Sequence, residues 1–502
     1  MPVLFYARYI PVVFGYFCPV NHQEKYETVV GLEVHAQLST VSKLFCADPV
    51  LFGAAPNTQV SPISLAHPGT LPVMNEAVIE KAVKLGLALN CTIVAKNYFA
   101  RKNYFYPDLP KGYQVSQHTA PICLGGYLAI STAAGKKNVQ LNRIHMEEDA
   151  GKSLHDQDEN NTCIDLNRAG TPLLEIVTEP DLHSADEAYS YLVALRKLLR
   201  WLDVCDGNME EGSMRCDANI SIRLKGVSTL GTRVEVKNLN SIRNVKKAIE
   251  IEVARLINIV ESGQEIRQET RSFNADNNTT FSLRSKEDAD DYRYFPEPDL
   301  PPFDISAETI QQIRSAMPML PAELEAKYKT SFGLNDYDAA AICADRDDAR
   351  LFEAIIRDTT HYKAVANWMT GPLRSFANEQ NMELIAIPLP PVKMAELVNA
   401  VEDGLISLAN AAHKILPELI ADPAATVLSV AERLHLVQES GTSALETWIG
   451  ETLASMPEKV QEYKSGKKNL LGLFAGDVKK RSKGKADMQQ VMELLTKKLN
   501  NI

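Results

Sequence analysis

Three short runs set ionisable residues on alternate positions of otherwise apolar stretches, and a fourth brings three acids in succession. From Val29 to Leu38 the apolar side chains fall on one face and Glu33, His35 and Gln37 on the other, as a two-residue repeat requires. From Met214 to Ile222 the apolar face is Met214, Cys216, Ala218, Ile220 and Ile222, which leaves Arg215, Asp217 and Asn219 together opposite it. Arg233, Glu235 and Lys237 alternate in the same way with Val234 and Val236. The fourth run, Ile144 to Asp149, contributes Glu147, Glu148 and Asp149. Taken singly, each strand could be the solvated outer face of a sheet. Gathered on one sheet, two carboxylates about 4 Å apart repel by roughly 4 kcal/mol at the effective dielectric of a protein surface. They must therefore stand apart or share a cation. Oxygen ligands in this number favour a hard ion such as Mg²⁺, which keeps waters and is completed by substrate phosphates. His35 reads equally as a ligand and as a hydrogen-bond partner.

The elements that would position these residues follow from pattern. Lys225 to Gly231, with Gly at both ends of its tip, joins the second and third runs into an antiparallel hairpin. Ser184-Ala185-Asp186-Glu187 is a capping box, followed by Tyr191, Leu192, Leu195, Leu198, Leu199 and Leu202 at helical spacing. Asn240-Ser241 opens a second helix carrying Val245, Ile249, Val253, Leu256 and Val260 and closed by Gly263. Both helices are expected on the apolar face of the sheet, with the polar face left open as a cradle. Pro296 to Pro302 breaks regular structure, because proline removes donors and restrains the residue before it. Beyond it every periodic segment repeats at helical spacing, with a further break at Asp422-Pro423. The expected organisation is an extension over 1–25, an α+β cradle over 26–303 with an antiparallel sheet, an all-α domain over 304–422, and a small α-helical tail over 423–502.

With 502 residues, 45% hydrophobic and 23% charged, the chain has an ordinary globular composition. Its eight cysteines show no CxxC spacing, which fits free thiols in a reducing compartment rather than a disulfide framework or a zinc site. No apolar run reaches the eighteen or so residues of a membrane helix. Residues 1–23 are aromatic and apolar without the charged n-region and small-residue cleavage site of a secretory signal, so they read as an organellar address or an over-long start. A cytoplasmic location is expected, or an organellar one if that extension is an address.

The tail differs in charge. Lys464, Lys467, Lys468, Lys479, Lys480, Arg481, Lys483 and Lys485 fall close together, opposed within that stretch only by Asp477, in a chain whose net charge is −11. Such a run can be a solvated helix face. Interleaved with Gly466, Gly472, Gly476, Gly484 and the apolar Leu470, Leu471, Leu473 and Phe474, it also fits a compact module offering lysines and amides to the phosphates of a nucleic acid. Other chemistries are missing. Gly151-Lys152-Ser153 resembles the end of a phosphate loop, yet Met146 stands where the first Gly is needed and three acids follow. There is no GxSxG, no HExxH and no amidase-like glycine-serine tract with a lysine, so release of ammonia from an amide donor is not evident.

Seven longer motifs are distinctive: Glu27 to His35, Pro68 to Val73, Arg101 to Asp108, His145 to Lys152, Asp165 to Leu173, Met209 to Asn219 and Asp291 to Asp299. Together they resemble the B subunits of the aspartyl/glutamyl-tRNA amidotransferases, over essentially Tyr26 to Leu499. The resemblance implies a subunit that uses ATP and Mg²⁺ to phosphorylate the side-chain carboxylate of Glu on tRNA(Gln) or Asp on tRNA(Asn), which ammonia then amidates. It implies a heterotrimer with a glutaminase A subunit and a small C subunit, and a cradle related to the glutamine synthetase catalytic sheet. The family's metal and catalytic positions fall here on Glu33, His35, Glu147, Glu148, Asp217 and Glu235, and Lys102 and Lys111 match its ammonia path. Arg215 and Lys237 could meet ATP phosphates, or serve as ion-pair partners within the sheet. Some members carry four zinc-binding cysteines, of which only Cys46 remains here, so no zinc is expected. A non-catalytic RNA-binding scaffold and a stand-alone metal-dependent phosphohydrolase are the rival readings.

Overall fold

The computed structural model describes residues 25–155, 157–285, 292–438, 442–482 and 486–501. They form two compact units divided between Pro318 and Met319. The expected extension over 1–25 lies, apart from Lys25, outside the described residues.

The first unit is built on a 13-stranded sheet. The strands that matter for the site are β1 (Tyr26–Gln37), β2 (Ala100–Asn103), β3 (Tyr113–Ser116), β4 (Gly135–Glu148), β5 (Pro172–Thr178), β6 (Met214–Leu224), β7 (Val234–Lys237), β8 (Glu269–Asn274) and β9 (Thr279–Ser285). Their order across the sheet is β9-β8-β7-β6-β1-β5-β4-β3-β2. The expected hairpin is present, with Ala218 opposite Val236 and Asn219 opposite Glu235. A wholly antiparallel sheet is not what forms, because β7 and β8 run parallel. The long helix between them returns the chain to the same end of the sheet, as a parallel neighbour requires.

Alternation separates the two faces cleanly. Val30, Leu32, Val34 and Ala36 of β1 and Cys216, Ala218 and Ile220 of β6 are buried, while Glu33, His35, Asp217 and Asn219 are only half buried on the opposite face. Two helices follow the predicted stripes. Helix α1 (Ala185–Trp201) is capped by the Ser184 hydroxyl, which accepts from the Glu187 N–H. The Glu187 carboxylate reaches back to the His183 N–H rather than to Ser184, so the reciprocal bond lands one residue early. Tyr191, Leu192, Leu195 and Leu199 are fully enclosed. Helix α2 (Ile242–Glu261) is capped by Ser241 in the same way. Its buried face includes Val245, Ile249 and Leu256 as expected, but Val260 is exposed and Glu252 is fully buried.

Glu252 is held by cations from two directions: Arg255 Nη2 at 2.8 Å and Arg271 Nε at 3.2 Å. Glu269 also contacts both arginines, at 3.1 and 2.9 Å, which ties α2 to β8 through alternating charges.

The second unit is helical throughout its described residues. At its C-terminal end, α3 (Thr442–Ser455), α4 (Pro457–Lys464), α5 (Leu471–Arg481) and α6 (Met488–Asn501) enclose a core of their own around Leu445, Ile449, Tyr463, Phe474, Val478, Val491 and Leu495.

Removing one member of a buried charge cluster leaves its partners uncompensated, at a cost of about 3 to 5 kcal/mol. Glu252→Ala should therefore lower the stability of the first unit by about 3 kcal/mol, and Glu252→Gln by less, read as a shift in the urea midpoint. Parental midpoints for both variants would show that the cluster carries no stability.

Candidate active site

Antiparallel register turns the sequence alternation into rows across the polar face. Glu33 stands opposite Asp217, and His35 opposite Arg215 on one side and Glu175 on the other. Glu175 in turn faces His145. Glu147 pairs with Leu173 and with Ser116, next to β2, whose Lys102 faces Gln114.

His35, Glu147 and Glu175 form a group at metal-ligand spacing, their ligating atoms lying within 4.8 Å of one another. Two ligands each about 2.1 Å from an octahedral Mg²⁺ cannot be more than about 4.2 Å apart, so small side-chain rotations would close the group on an ion. One imidazole and two carboxylates suit a divalent cation, and the carboxylates favour the harder ones. Glu175 Oε2 is 3.3 Å from His35 Nε2 and 3.4 Å from His145 Nε2. Burial pushes the Glu175 carboxyl up, but the two imidazoles outweigh it and hold it well below the usual range. Burial likewise works against a charged His35, yet its bond to Glu175 leaves its pKa raised.

A second group lies on the same face. Lys237 Nζ is 2.5 Å from Asp217 and 3.0 Å from Glu235, and Glu235 also accepts from Thr270 Oγ1 at 2.9 Å. Burial would lower the Lys237 pKa, but the two carboxylates raise it instead. Glu33 accepts from Asn219 Nδ2 at 2.8 Å. Burial and then the charge of Glu175 push the Glu33 carboxyl up, with Glu235 and Asp217 adding to the effect. Arg215 is engaged by Asp149 at 2.7 Å, and Asp149 also accepts from Gln37 at 2.7 Å. Of the two uses open to Arg215 and Lys237, this arrangement displays the ion pair within the sheet.

One predicted residue is placed apart. Glu148 does not join Glu147, because consecutive residues of a strand point to opposite faces. It is buried on the reverse side, where it accepts from Lys111 Nζ and, at 2.9 Å, from the Val115 N–H. Lys102 follows Glu147 instead, at 3.2 Å. Burial disfavours its charge, but that carboxylate raises its pKa all the same. Glu175, absent from the predicted set, is central to the observed one. Its only signal is a single acid in the otherwise apolar run Pro172-Leu173-Leu174-Glu175-Ile176-Val177. Lys152–Leu154 forms a short strand against Cys163–Asp165, so Gly151-Lys152-Ser153 does not open a phosphate-binding helix.

In the second unit Lys464, Lys467, Lys468, Lys479, Lys480 and Arg481 are all exposed, whereas Lys483 and Lys485 lie outside the described residues. Asp477 is not their only acidic neighbour: Lys467 pairs with Glu462 at 3.0 Å, and Arg481 with Asp477 at 2.6 Å. Lys468 Nζ stands 4.1 Å from the centre of the Tyr463 ring.

Residues 28–311 match the GatB/GatE catalytic domain, and residues 350–499 match the GatB domain. The chain belongs to the GatB family. Among its relatives are proteins described as the B subunit of aspartyl/glutamyl-tRNA(Asn/Gln) amidotransferase. That of Myxococcus xanthus is 48% identical over 476 residues, covering 95% of this chain and 99% of the relative. Those of Burkholderia vietnamiensis and Halorhodospira halophila are each 47% identical, with the same coverage.

The placement of consecutive glutamates on opposite faces has a direct test in Mn²⁺ binding, followed by electron paramagnetic resonance. Glu147→Gln and Glu175→Gln should each weaken binding about tenfold or more, while Glu148→Gln should leave it unchanged. Equal losses for Glu147 and Glu148 would put both on one site.

Proposed function

We propose that this chain is the subunit of a tRNA-dependent amidotransferase that activates the side-chain carboxylate of Glu on tRNA(Gln), Asp on tRNA(Asn), or both, at the expense of ATP, and then amidates it. The observation that carries this reading is the His35, Glu147 and Glu175 group beside Glu33, Asp217 and Glu235 on one open face of a sheet. His35, Glu147 and Glu175 would hold a divalent ion such as Mg²⁺, which would supply neutralisation of phosphate charge at this face. Phosphoryl transfer needs little covalent help from protein, since positioning and charge neutralisation supply most of the rate. In the first step the substrate carboxylate oxygen bonds to the γ-phosphorus as the bond to ADP breaks. In the second, ammonia attacks the acyl carbon and phosphate leaves with the carboxylate oxygen.

Glu33 and Asp217 line the face on which the nucleotide phosphates would lie, and Lys237 keeps Asp217 and Glu235 from repelling each other. Lys102 and Lys111, each bound to one of two consecutive glutamates, are proposed to flank the route by which ammonia arrives. Ammonia would come from a glutaminase A subunit braced by a small C subunit, in keeping with the lack of an amidase signature in this sequence. The sheet is taken to be related to the glutamine synthetase catalytic sheet, with 26–303 as the catalytic cradle, 304–422 as a helical domain and 423–502 as the tRNA-binding tail. No zinc is proposed: Cys46 lies 3.4 Å from the Ser64 hydroxyl, and the buried ammonium of Lys43 stands 4.0 Å from Asp48. Among the described residues no helix is long and apolar enough to cross a membrane.

Asp217→Ala or Glu147→Gln should abolish ATP cleavage dependent on misacylated tRNA in the reconstituted heterotrimer, while tRNA affinity stays near parental. ATP cleavage at the parental rate in either variant would overturn the carboxylate assignment.

The exposed basic groups of α4 and α5 are proposed to meet the sugar-phosphate backbone. Binding through them releases counterions, so each lost contact lowers the slope of log affinity against log salt by about one unit. Lys479→Gln with Lys480→Gln should weaken tRNA binding and flatten its salt dependence, with ATP turnover kept at saturating tRNA. Unaltered affinity and slope across a salt titration would make these lysines a solvated face only.

A further inference from the structure

Among the described residues, six buried side-chain polar atoms make no well-directed hydrogen bond, Arg255 Nη2 among them despite its ion pairs with Glu252 and Glu269. Three of them, Arg143 Nε, His145 Nδ1 and Arg215 Nε, belong to residues on the carboxylate-bearing face. Unpaired buried donors cost free energy unless something meets them, so such a concentration calls for a ligand or for ordered water. Arg215 is already engaged through Nη2 by Asp149, and His145 through Nε2 by Glu175. Arg143 is different. Its side chain makes no hydrogen bond or ion pair with any described residue.

The strand is shaped to put it there. Between β4 and β5 the pairing runs Val177 with Arg143 but Thr178 with Leu141, so Asn142 is an extra residue on β4. Before this bulge the buried apolar residues of β4 are Val139 and Leu141, and after it Ile144 and Met146. Were Asn142 an ordinary paired residue, strict alternation would put Arg143 in the apolar series begun by Val139 and Leu141. With the bulge, Arg143 shares the face of His145 and Glu147. The bulge is itself satisfied, since the Asn142 carbonyl accepts from the Gly125 N–H at 3.0 Å and its side-chain amide donates to Glu179 at 2.8 Å. Bulges that re-aim one side chain are frequent beside active sites. Of the other cations of the face, Lys237 is committed to Asp217 and Glu235, Arg215 to Asp149, and Lys102 to Glu147, while Arg233, just before β7, is exposed.

We propose that Arg143 is a substrate-binding residue that takes the γ-phosphoryl oxygens of the nucleotide. The inference deepens the phosphoryl-transfer reading of this face and rests on it. A guanidinium presents a planar fork of donors suited to two oxygens of one phosphate, and its charge cannot be titrated away. The phosphoryl group in transfer carries more negative charge than a substrate carboxylate. It is also the anion that a face lined with carboxylates most needs a free cation to accept.

The test uses the reconstituted complex with Arg143→Gln and Arg143→Lys. Equilibrium binding of ATP and of ADP, each with Mg²⁺, is measured beside turnover with misacylated tRNA. Loss of one charge-assisted contact should weaken ATP binding by about tenfold to a hundredfold in Arg143→Gln while ADP binding stays parental. KM for ATP should rise with it, KM for misacylated tRNA should hold, and Arg143→Lys should recover part of the loss. Removing an unpaired guanidinium should not lower the urea midpoint, so a folding defect is distinguishable. Equal weakening of ATP and ADP, a rise confined to the KM for tRNA, or parental ATP binding would each overturn the assignment. If the parental complex cleaves no ATP in response to misacylated tRNA, the functional reading itself fails, and the ATP-against-ADP comparison still decides for or against Arg143.

Discussion

Mutual repulsion of carboxylates is the constraint on which the first unit depends. Glu33, Glu147, Glu175, Asp217 and Glu235 are brought to one face by strand register, and each close pair would cost several kcal/mol if left alone. The sheet answers by interleaving cations and donors in the same rows: His35 and His145 flank Glu175, Lys237 spans Asp217 and Glu235, Lys102 meets Glu147, and Asn219 donates to Glu33. Apolar residues could have filled these positions at no electrostatic cost, since a buried ion pair is often no more stable than a hydrophobic replacement. Five strands nonetheless bring ionised groups to this one face, which is the arrangement on which the proposed phosphate and metal chemistry rests. Glu33 shows the balance as incomplete, because its carboxyl is pushed up by burial and by the neighbouring acids. A cation entering this face would relieve that excess.

Much of this is legible in the sequence because a strand writes its two faces at alternate positions. The hairpin, the half-buried Glu33, His35 and Asp217, and the two capped helices all follow from local pattern. Expectation and structure part where pattern gives way to composition. Glu147 and Glu148 look like one group when taken as neighbouring acids, although alternation alone forbids them a common face. Glu175 escapes notice because one acid in an apolar strand resembles noise until its partners across the sheet are known. Non-local facts are out of reach: the parallel β7–β8 pairing and the register shift that makes Asn142 an extra residue depend on strands brought together from distant parts of the chain. Val260 and Glu252 exchange their expected places on α2 for a related reason. The helix packs beside β8, whose Arg271 offers Glu252 a buried partner.

That exchange bears on the site. Glu235 is oriented by Thr270 on β8, the strand that also carries Glu269 and Arg271. Arg271 binds Glu252 of α2 and Glu269 of its own strand, and donates to Thr280 of β9 at 3.0 Å. The outermost strands are therefore fixed less by apolar burial than by this chain of charges, since Phe281 and Leu283 of β9 are exposed. Loosening Glu252 would leave Arg255 with Glu269 as the remaining charge pair between the helix and β8, and so weaken that tie before it disturbed the core under β1 and β6. Thr270 would then be held less firmly, and with it one of the donors that orient Glu235, the other being Lys237. Stability at the helix and geometry at the carboxylates are in this way linked through one strand, while His35, Glu147 and Glu175, on strands nearer the middle of the sheet, are held independently of it.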